Sequence, residues 1–342
     1  MCLQLSEPLR YLNRRSLSVL TLMLAPILAH AASYQYFRIG NRADKQTRPK
    51  AGIAMMGGGT DLDEAFRWLC QKASGGDFLI LRASGDDVSN SYVNSLCHPN
   101  SVATLIIPNR EAARDPAVAE IIRDAEVVFI SGGDQANYIR NWEGTPVEDA
   151  INANIAAGKP IGGTSAGLAV LGEFAYGALG DKPDDNDLAS TEVLTNPFFD
   201  RVTLIRGFLK TPLLENLLTD SHFAKRDRMG RTLGFLARIM QDGWSNSPRE
   251  IAIDEKSALL VEPDGEGTVV GIGKGAYFLR PTRRPVICLA GQPLTFSEIK
   301  VYKIAAGGHF QLKSWTEDAA TAYSLSVKKG KIESTQANHS IY

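Results

Sequence analysis

The chain has 342 residues, of which 44% are hydrophobic and 22% charged, with a formal net charge of −1. That balance describes a folded, water-soluble protein and excludes a strongly basic nucleic-acid binder, an anionic-membrane binder and a disordered polyelectrolyte. The length accommodates one large α/β domain with an appendage, or two modest domains, and either buries a sizeable core.

Arg10, Arg14 and Arg15 precede an apolar stretch from Leu17 to Leu28 that ends in Ala29-His30-Ala31-Ala32. This is the outline of a secretory signal peptide over residues 1–32, with a cut that leaves Ala32 or Ser33 first. The stretch falls short of the ~20 apolar residues a spanning helix needs and contains Pro26, so no stable membrane insertion is expected after cleavage. The mature protein is expected to be exported, to the periplasm or the medium. Export leaves Cys70, Cys97 and Cys288 in an oxidising compartment, where three thiols cannot all pair within one chain. A Cys70 to Cys97 bridge is the first pairing to expect, with three buried thiols as the alternative. No His/Cys clustering points to a metal.

Downstream, apolar runs alternate with helical periodicity. Ala51 to Met56 reads as a strand, Asp61 to Ala73 as an amphipathic helix, and Phe78 to Ala83 and Val102 to Ile107 as strands. Ala117 to Asp124 is helical, Val127 to Ser131 a strand, and Val147 to Ala157 a helix. Near-continuous apolar strands in repeated β/α units predict a parallel sheet with helices on both faces, whose ligands sit at the carboxyl ends of the strands. Gly57-Gly58-Gly59 and Gly132-Gly133-Asp134-Gln135 fall at such ends, and the triple glycine reads as a tight turn with close backbone packing. The α/β domain is expected over residues 50–265. Residues 266–342 carry short β-type runs, Thr268 to Ile272, Ala276 to Leu279 and Glu298 to Ile304, and read as a β-rich extension on the same domain, with Asn338 to Tyr342 frayed.

The strand that begins at Pro160 runs into Gly163-Thr164-Ser165-Ala166-Gly167, followed by a helical pattern from Leu168 to Gly172. Gly-x-Ser-x-Gly between strand and helix is the grammar of a nucleophile elbow, in which small neighbours let the serine stand clear of the sheet. A serine hydroxyl needs an imidazole to take its proton and the imidazole needs a carboxylate to fix its tautomer. Of His98, His222, His309 and His339, His222 lies downstream of the elbow at the start of a segment read as helical, Ser221 to Arg231, and is the candidate base. Asp220, Asp227, Asp254 and Glu255 all remain candidates for the carboxylate.

Four motifs in order, Ser131 to Gln135, Gly162 to Gly167, Asp220-Ser221-His222-Phe223 with Arg226, Arg228 and Arg231, and Ile253-Asp254-Glu255 ahead of Ser257 to Val261, resemble the cyanophycinases and aspartyl dipeptidases over about Lys50 to Leu312. The resemblance implies a class I glutamine amidotransferase-like, flavodoxin-like three-layer fold and a serine peptidase that uses no cofactor. It implies Ser165 as nucleophile, His222 as base and Glu255 as orienting acid, with the oxyanion held by backbone N–H groups of Ala166 and of Gly133 or Asp134. Gln135, Asp220, Ser221, Arg226, Arg228 and Arg231 would then contact substrate, the arginines clamping free carboxylates. The implied partners are cyanophycin or another peptide substrate and a second copy in a homodimer; no nucleic acid is expected. Two departures bear on recognition: Ser221 stands where cyanophycinases typically carry glutamine, and the stretch from elbow to histidine is long, with an acidic run from Asp181 to Asp187 and the aromatic pair Phe198-Phe199. Small aspartyl or isoaspartyl peptides are therefore an alternative substrate, and a non-catalytic binding protein on the same fold is a second alternative.

Overall fold

Short apolar runs bounded by glycine, proline and polar turns set the strands of this protein. The computed structural model describes residues 33–182, 186–317 and 320–342, so the signal peptide read over residues 1–32 and positions 183–185 of the acidic run lie outside it. In chain order the strands are β1 (Gln35–Gly40), β2 (Ile53–Met56), β3 (Asp77–Arg82), β4 (Ser101–Ile106), β5 (Val127–Ile130), β6 (Ile161–Thr164), β7 (Phe174–Tyr176), β8 (Leu204–Arg206) and β9 (Leu217–Asp220). They continue as β10 (Arg249–Ile253), β11 (Ser257–Val261), β12 (Glu266–Gly271), β13 (Ala276–Pro281), β14 (Phe296–Ile304), β15 (His309–Gln311), β16 (Thr316–Glu317), β17 (Thr321–Lys328) and β18 (Lys331–Ser334).

These strands form two sheets. The ten-stranded sheet has the order β1-β4-β3-β5-β6-β2-β11-β12-β15-β16, and the eight-stranded sheet the order β18-β17-β14-β13-β10-β9-β7-β8. In the first, β4, β3, β5, β6 and β2 run parallel and the remaining pairings are antiparallel. In the second, β10, β9 and β7 run parallel. The α/β class holds, but the architecture is not one parallel sheet: both sheets are mixed, and β7 to β10 already build the second sheet inside the stretch read as a single-sheet domain. The division at residue 265 is likewise no sheet boundary, because β12 continues directly from β11 in the first sheet while β13, β14, β17 and β18 join the second.

Burial on both faces explains why the central strands read as apolar runs. Along β2, Ile53 and Met55 enter the cluster shared between the sheets, while Ala54 and Met56 pack under helix Asp63–Lys72 with Phe66 and Leu69. The second sheet is covered by helix Met229–Gln241, whose Leu233, Leu236 and Met240 meet Tyr277, Leu279 and Val301. Cys70 and Cys97 are joined in a disulfide that links helix Asp63–Lys72 to the end of helix Val88–Cys97, and Cys288 is a buried free thiol.

The last residues are anchored rather than frayed. The Tyr342 hydroxyl accepts from Met229 N at 2.8 Å and donates to Asp227 Oδ1 at 3.0 Å, and its ring lies edge-on to Phe223, 5.8 Å between centroids. An aromatic side chain with a polar tip is suited to such a half-buried seat, and composition alone did not reveal it. Among the described residues no helix is long and apolar enough to cross a membrane.

Candidate active site

Ser165 leaves the end of β6 with φ 54° and ψ −117°, a conformation that non-glycine residues rarely hold. The flanking glycines make that turn possible. A Cβ on Gly163 would lie 2.5 Å from the carbonyl of Gly167, and one on Gly167 would lie 2.0 Å from Ile130 O, so neither position can carry a side chain. The helix after the elbow is a single turn, Ala166–Ala169, and the chain then enters β7. The expected helical continuation to Gly172 is therefore cut short: Gly172 N–H turns to Thr219 Oγ1, and a Cβ on Gly172 would meet Leu217 O at 2.6 Å.

His222 and Glu255 arrive from the other sheet, one after β9 and the other after β10, which run side by side in parallel. Ser165 Oγ lies 2.7 Å from His222 Nε2, and His222 Nδ1 lies 2.7 Å from Glu255 Oε1. With Nδ1–H donating to the carboxylate, Nε2 is left to accept from the serine hydroxyl. Of the four carboxylates left open by the sequence, geometry selects Glu255. Asp254 accepts from Lys225 N, Asp227 from the Tyr342 hydroxyl, and Asp220 is held by arginines.

His222 does not open a helix. Residues 221–228 form an irregular turn, His222 has φ 48°, and the helix begins at Met229. The ring is seated by the triple glycine: a Cβ on Gly58 would lie 2.5 Å from His222 Cε1 and Nε2, and one on Gly59 3.3 Å from Glu255. The Gly57-Gly58-Gly59 turn thus gives room to the imidazole and its carboxylate, a role that the tight-turn reading did not include.

Burial pushes the His222 pKa below its ordinary 6.5, the charges of Arg226 and Arg228 push the same way, and the hydrogen bond to Glu255 opposes them without prevailing. Glu255 is held below the ordinary carboxylate range, first by the hydrogen bond from His222. At neutral pH the relay is therefore a neutral imidazole between a hydroxyl and a carboxylate, the state a general base requires.

A cavity of about 590 Å³ opens over Ser165 and is lined by Gly133, Asp134, Gln135, Ala166, Tyr176, Ser221, Arg226 and Arg228, among others. Ala166 is the first residue of its helical turn, so its N–H has no intrahelical acceptor. The Asp134 carboxylate caps helix Gln135–Trp142 by accepting from Ala136 N at 2.9 Å. Gln135 reaches Tyr176 O at 3.4 Å.

Three residues expected to contact substrate are otherwise engaged. Arg231 is 1% exposed and is absent from the cavity wall. Its guanidinium donates to both oxygens of Asp220, itself 3% exposed, at 2.6 to 3.0 Å. Arg228 lines the cavity but donates to Asp187 at 2.8 and 2.9 Å and to Asp220 at 3.1 Å. Burial alone would raise the Asp220 pKa, yet the two guanidinium charges outweigh it and hold the carboxyl below its ordinary range. The predicted clamp is a buried ion network, because Asp220 and Asp187 satisfy the forks that a substrate carboxylate would occupy. Arg226 alone of the three arginines is exposed, and it makes no ion pair among the described residues. Sequence reasoning did not single out Asp187, Tyr176 or Asn137 as individual wall residues; Asp187 lay within the acidic run, which carries no spacing signal for a partner forty residues away.

A serine, an imidazole and a carboxylate joined in this order at the edge of an α/β sheet form the constellation of serine hydrolases. Comparison with known proteins narrows the class. The description "Peptidase family S51" matches residues 93–195, a stretch that includes Ser165 and stops before His222. The chain is 28% identical over 219 residues to the cyanophycinase of Trichormus variabilis, covering 62% of this chain and 65% of that protein, just under two thirds of its length. It is 23% identical over 263 residues to the cyanophycinase of Geminocystis herdmanii, covering 72% of this chain and 86% of that one. A solved peptidase from an acI-B1 Actinobacterium aligns over 78% of this chain and 98% of its own at 20% identity with a TM-score of 0.49. By sequence, the chain is similar to peptidase family S51 over residues 93–195 and to cyanophycinases over 62 to 72% of its length.

Two outcomes test this geometry. Gly58→Ala places a methyl where the imidazole sits, at φ 94°, and displacing the ring by ~1 Å lowers the rate on the order of a hundredfold. The measurement is the rate of Ser165 labelling by a serine-directed phosphonate in protein that still melts cooperatively. Arg231→Met leaves the buried Asp220 carboxylate with Arg228 as its remaining guanidinium partner and destabilises by up to about 3–5 kcal/mol, read from the shift in a urea unfolding midpoint. A midpoint unchanged by Arg231→Met would contradict the buried network.

Proposed function

We propose that this protein is a serine-type exopeptidase that hydrolyses cyanophycin, a poly-aspartate carrying arginine on each β-carboxyl, to β-Asp-Arg dipeptides. The observation that carries the reading is the unbroken hydrogen-bonded chain from Ser165 through His222 to Glu255 under an open cavity. In the proposed reaction Ser165 Oγ attacks the scissile carbonyl carbon as its proton passes to His222 Nε2. Collapse of the tetrahedral adduct breaks the C–N bond, and the leaving amine takes the proton back from His222. Water then attacks the acyl-enzyme by the same proton route. Glu255 holds the Nδ1–H tautomer throughout. Backbone N–H groups of Ala166 and of Gly133 or Asp134 are the proposed oxyanion donors, each worth about 3 kcal/mol in the transition state.

The reading places the core in a three-layer, class I glutamine amidotransferase-like arrangement and takes the N-terminal segment as an export leader, with the mature enzyme acting outside the cytoplasm, as a homodimer. The chemistry uses only these side chains and water. A second reading, the same chemistry on small aspartyl or isoaspartyl peptides, is favoured by the closure of Asp220 with Arg231 and Arg228 and by Ser221 in place of the usual glutamine, since both remove contacts a branched polymer would use.

Incubation of purified protein with insoluble cyanophycin should release soluble β-Asp-Arg, detected by mass spectrometry, and Ser165→Ala should release none. If wild-type protein takes up a phosphonate probe but releases no dipeptide, the peptidase reading stands with the second substrate class. The pH profile gives a further outcome. Attack requires neutral His222, and its lowered pKa means that the imidazolium forms only below the ordinary 6.5. The acid limb of kcat/KM is therefore expected to have its midpoint below 6.5, and Arg226→Gln, by removing a nearby positive charge, should move that midpoint upward. An acid limb centred above 6.5 in the wild type would count against His222 as the base.

A further inference from the structure

Cations without a carboxylate partner gather on the Glu255 side of the relay. Lys225 and Arg226 are exposed in the turn after His222, and their backbones are fixed against the site: Lys225 N–H donates to Asp254 Oδ1 at 2.8 Å and Arg226 N–H to His222 O at 2.9 Å. Lys274 stands just before β13 and Lys303 in β14, opposite Tyr277, and this ladder is tied to the same corner by the hydrogen bond from Asp254 N to Gly275 O at 3.1 Å. The Lys303 ammonium lies 5.5 Å from the Tyr277 ring and the Lys274 ammonium 5.9 Å from the Tyr342 ring, and those rings are 6.0 Å apart. None of the four side chains makes an ion pair among the described residues.

The neighbouring acids act on them only through space: Glu255 feels the charges of Arg226 and Lys225, and Asp254 that of Lys303, but none forms an ion pair with them. Glu255 is committed to His222, Asp254 is buried and accepts from Lys225 N, and exposed Asp227 accepts from the Tyr342 hydroxyl. Burial and then the charge of Lys274 hold the Lys303 ammonium below its ordinary range against the opposing charge of Asp254, a sign that the like charges feel one another. Arg228 and Arg231, by contrast, are answered by Asp187 and Asp220. In a chain of net charge −1, four cations without an ion pair beside one site are a local excess that the fold itself does not require.

We propose that Lys225, Arg226, Lys274 and Lys303 form a docking ridge for a peptide bearing several free carboxylates. The ridge runs from the cavity wall, which Arg226 also lines, outward across β13 and β14. It rests on the hydrolase reading of Ser165 and extends it, because it selects long, carboxylate-rich chains over single dipeptide-sized substrates. A guanidinium at the cavity mouth can grip one carboxylate in a bidentate fork, while the exposed Lys225 and Lys274 and the half-buried Lys303 contribute weak, salt-screened contacts that become effective only when one chain carries several anions.

The test uses Ser165→Ala protein, which cannot turn substrate over, and fluorescein-labelled poly-L-aspartate followed by anisotropy. Binding is expected at about 0.05 M salt and should weaken on the order of tenfold at about 0.3 M as screening shortens the reach of the charges. Adding Lys225→Ala, Lys274→Ala and Lys303→Gln should weaken it by about tenfold or more at low salt, the sum of several small contacts. Replacing the same lysines with arginine should restore it, which separates charge from folding. Poly-L-lysine of equal length should not bind. The ridge is overturned if poly-L-aspartate fails to bind at low salt, binds the triple variant equally well, or is matched by poly-L-lysine. Phosphonate labelling of wild-type Ser165 is the independent readout: labelled protein that ignores poly-L-aspartate sinks the ridge alone, whereas unlabelled protein sinks the hydrolase reading and leaves the anisotropy to decide the ridge.

Discussion

Three consecutive carbonyls at the end of β2 hold the relay together. Met56 O accepts from Ser165 N at 3.1 Å, Gly57 O from His222 N at 2.8 Å, and Gly58 O from Lys256 N, next to Glu255, at 3.0 Å. The three donors belong to segments that leave three different strands in two different sheets, so this one turn sets their spacing. Ser165, His222 and Lys256 each have positive φ, at 54°, 48° and 57°. Such conformations cost on the order of 1–3 kcal/mol apiece and persist only where surrounding contacts over-determine them. Here each strained residue is held at its own N–H by the next carbonyl along the turn.

The second requirement is space. A central strand with ordinary side chains could not bring its neighbours so close, and β6 meets this with Gly162 and Gly163, whose absent side chains admit Leu69 and Phe129 on one face and the elbow on the other. Seating His222 over Gly58 shields most of the ring, leaving it 5% exposed. That shielding is the leading cause of its lowered pKa. Packing therefore sets the protonation state as well as the position of the base.

Much of this was legible in the sequence, and what was missed has physical causes. The elbow reads clearly because its steric demand fixes glycine on both sides of Ser165, and the parallel strands read clearly because burial on both faces leaves unbroken apolar runs. The second sheet read only in part: β13 and β14 register as β-type runs, but β7 and β8 have three residues each and β9 four, ending in Thr219 and Asp220. Such segments are too short for periodicity to register. The turn after His222 passes for helix on composition, yet Asp254, Tyr342 and Arg228 hold it in another shape through contacts distant in sequence. The arginines were read as substrate ligands because a sequence shows a charge and not its partner. Asp187, which answers Arg228, lies 41 residues away along the chain.

Those partners give the buried network a purpose beyond charge balance. A buried ion pair adds little net stability over apolar packing, but breaking one is expensive, so such a pair specifies geometry more than it stabilises. Asp220 ends the strand that leads to His222, and Arg231 lies in the first turn of the helix that follows, so their pairing closes both ends of the irregular turn between them. Arg228 reinforces the closure by donating to Ser221 O at 2.9 Å. Glu250 sits beside this network fully buried, accepting from Thr232, and burial followed by the Asp220 charge lifts its carboxyl well above the ordinary range. The shift disfavours its charged form, so it competes less with Asp220 for the guanidinium groups. The charge of Arg228, which helps fix the turn, also disfavours the imidazolium form of His222. Placement of the base and readiness to accept a proton thus depend on the same side chain, and a substitution there cannot disturb one without the other.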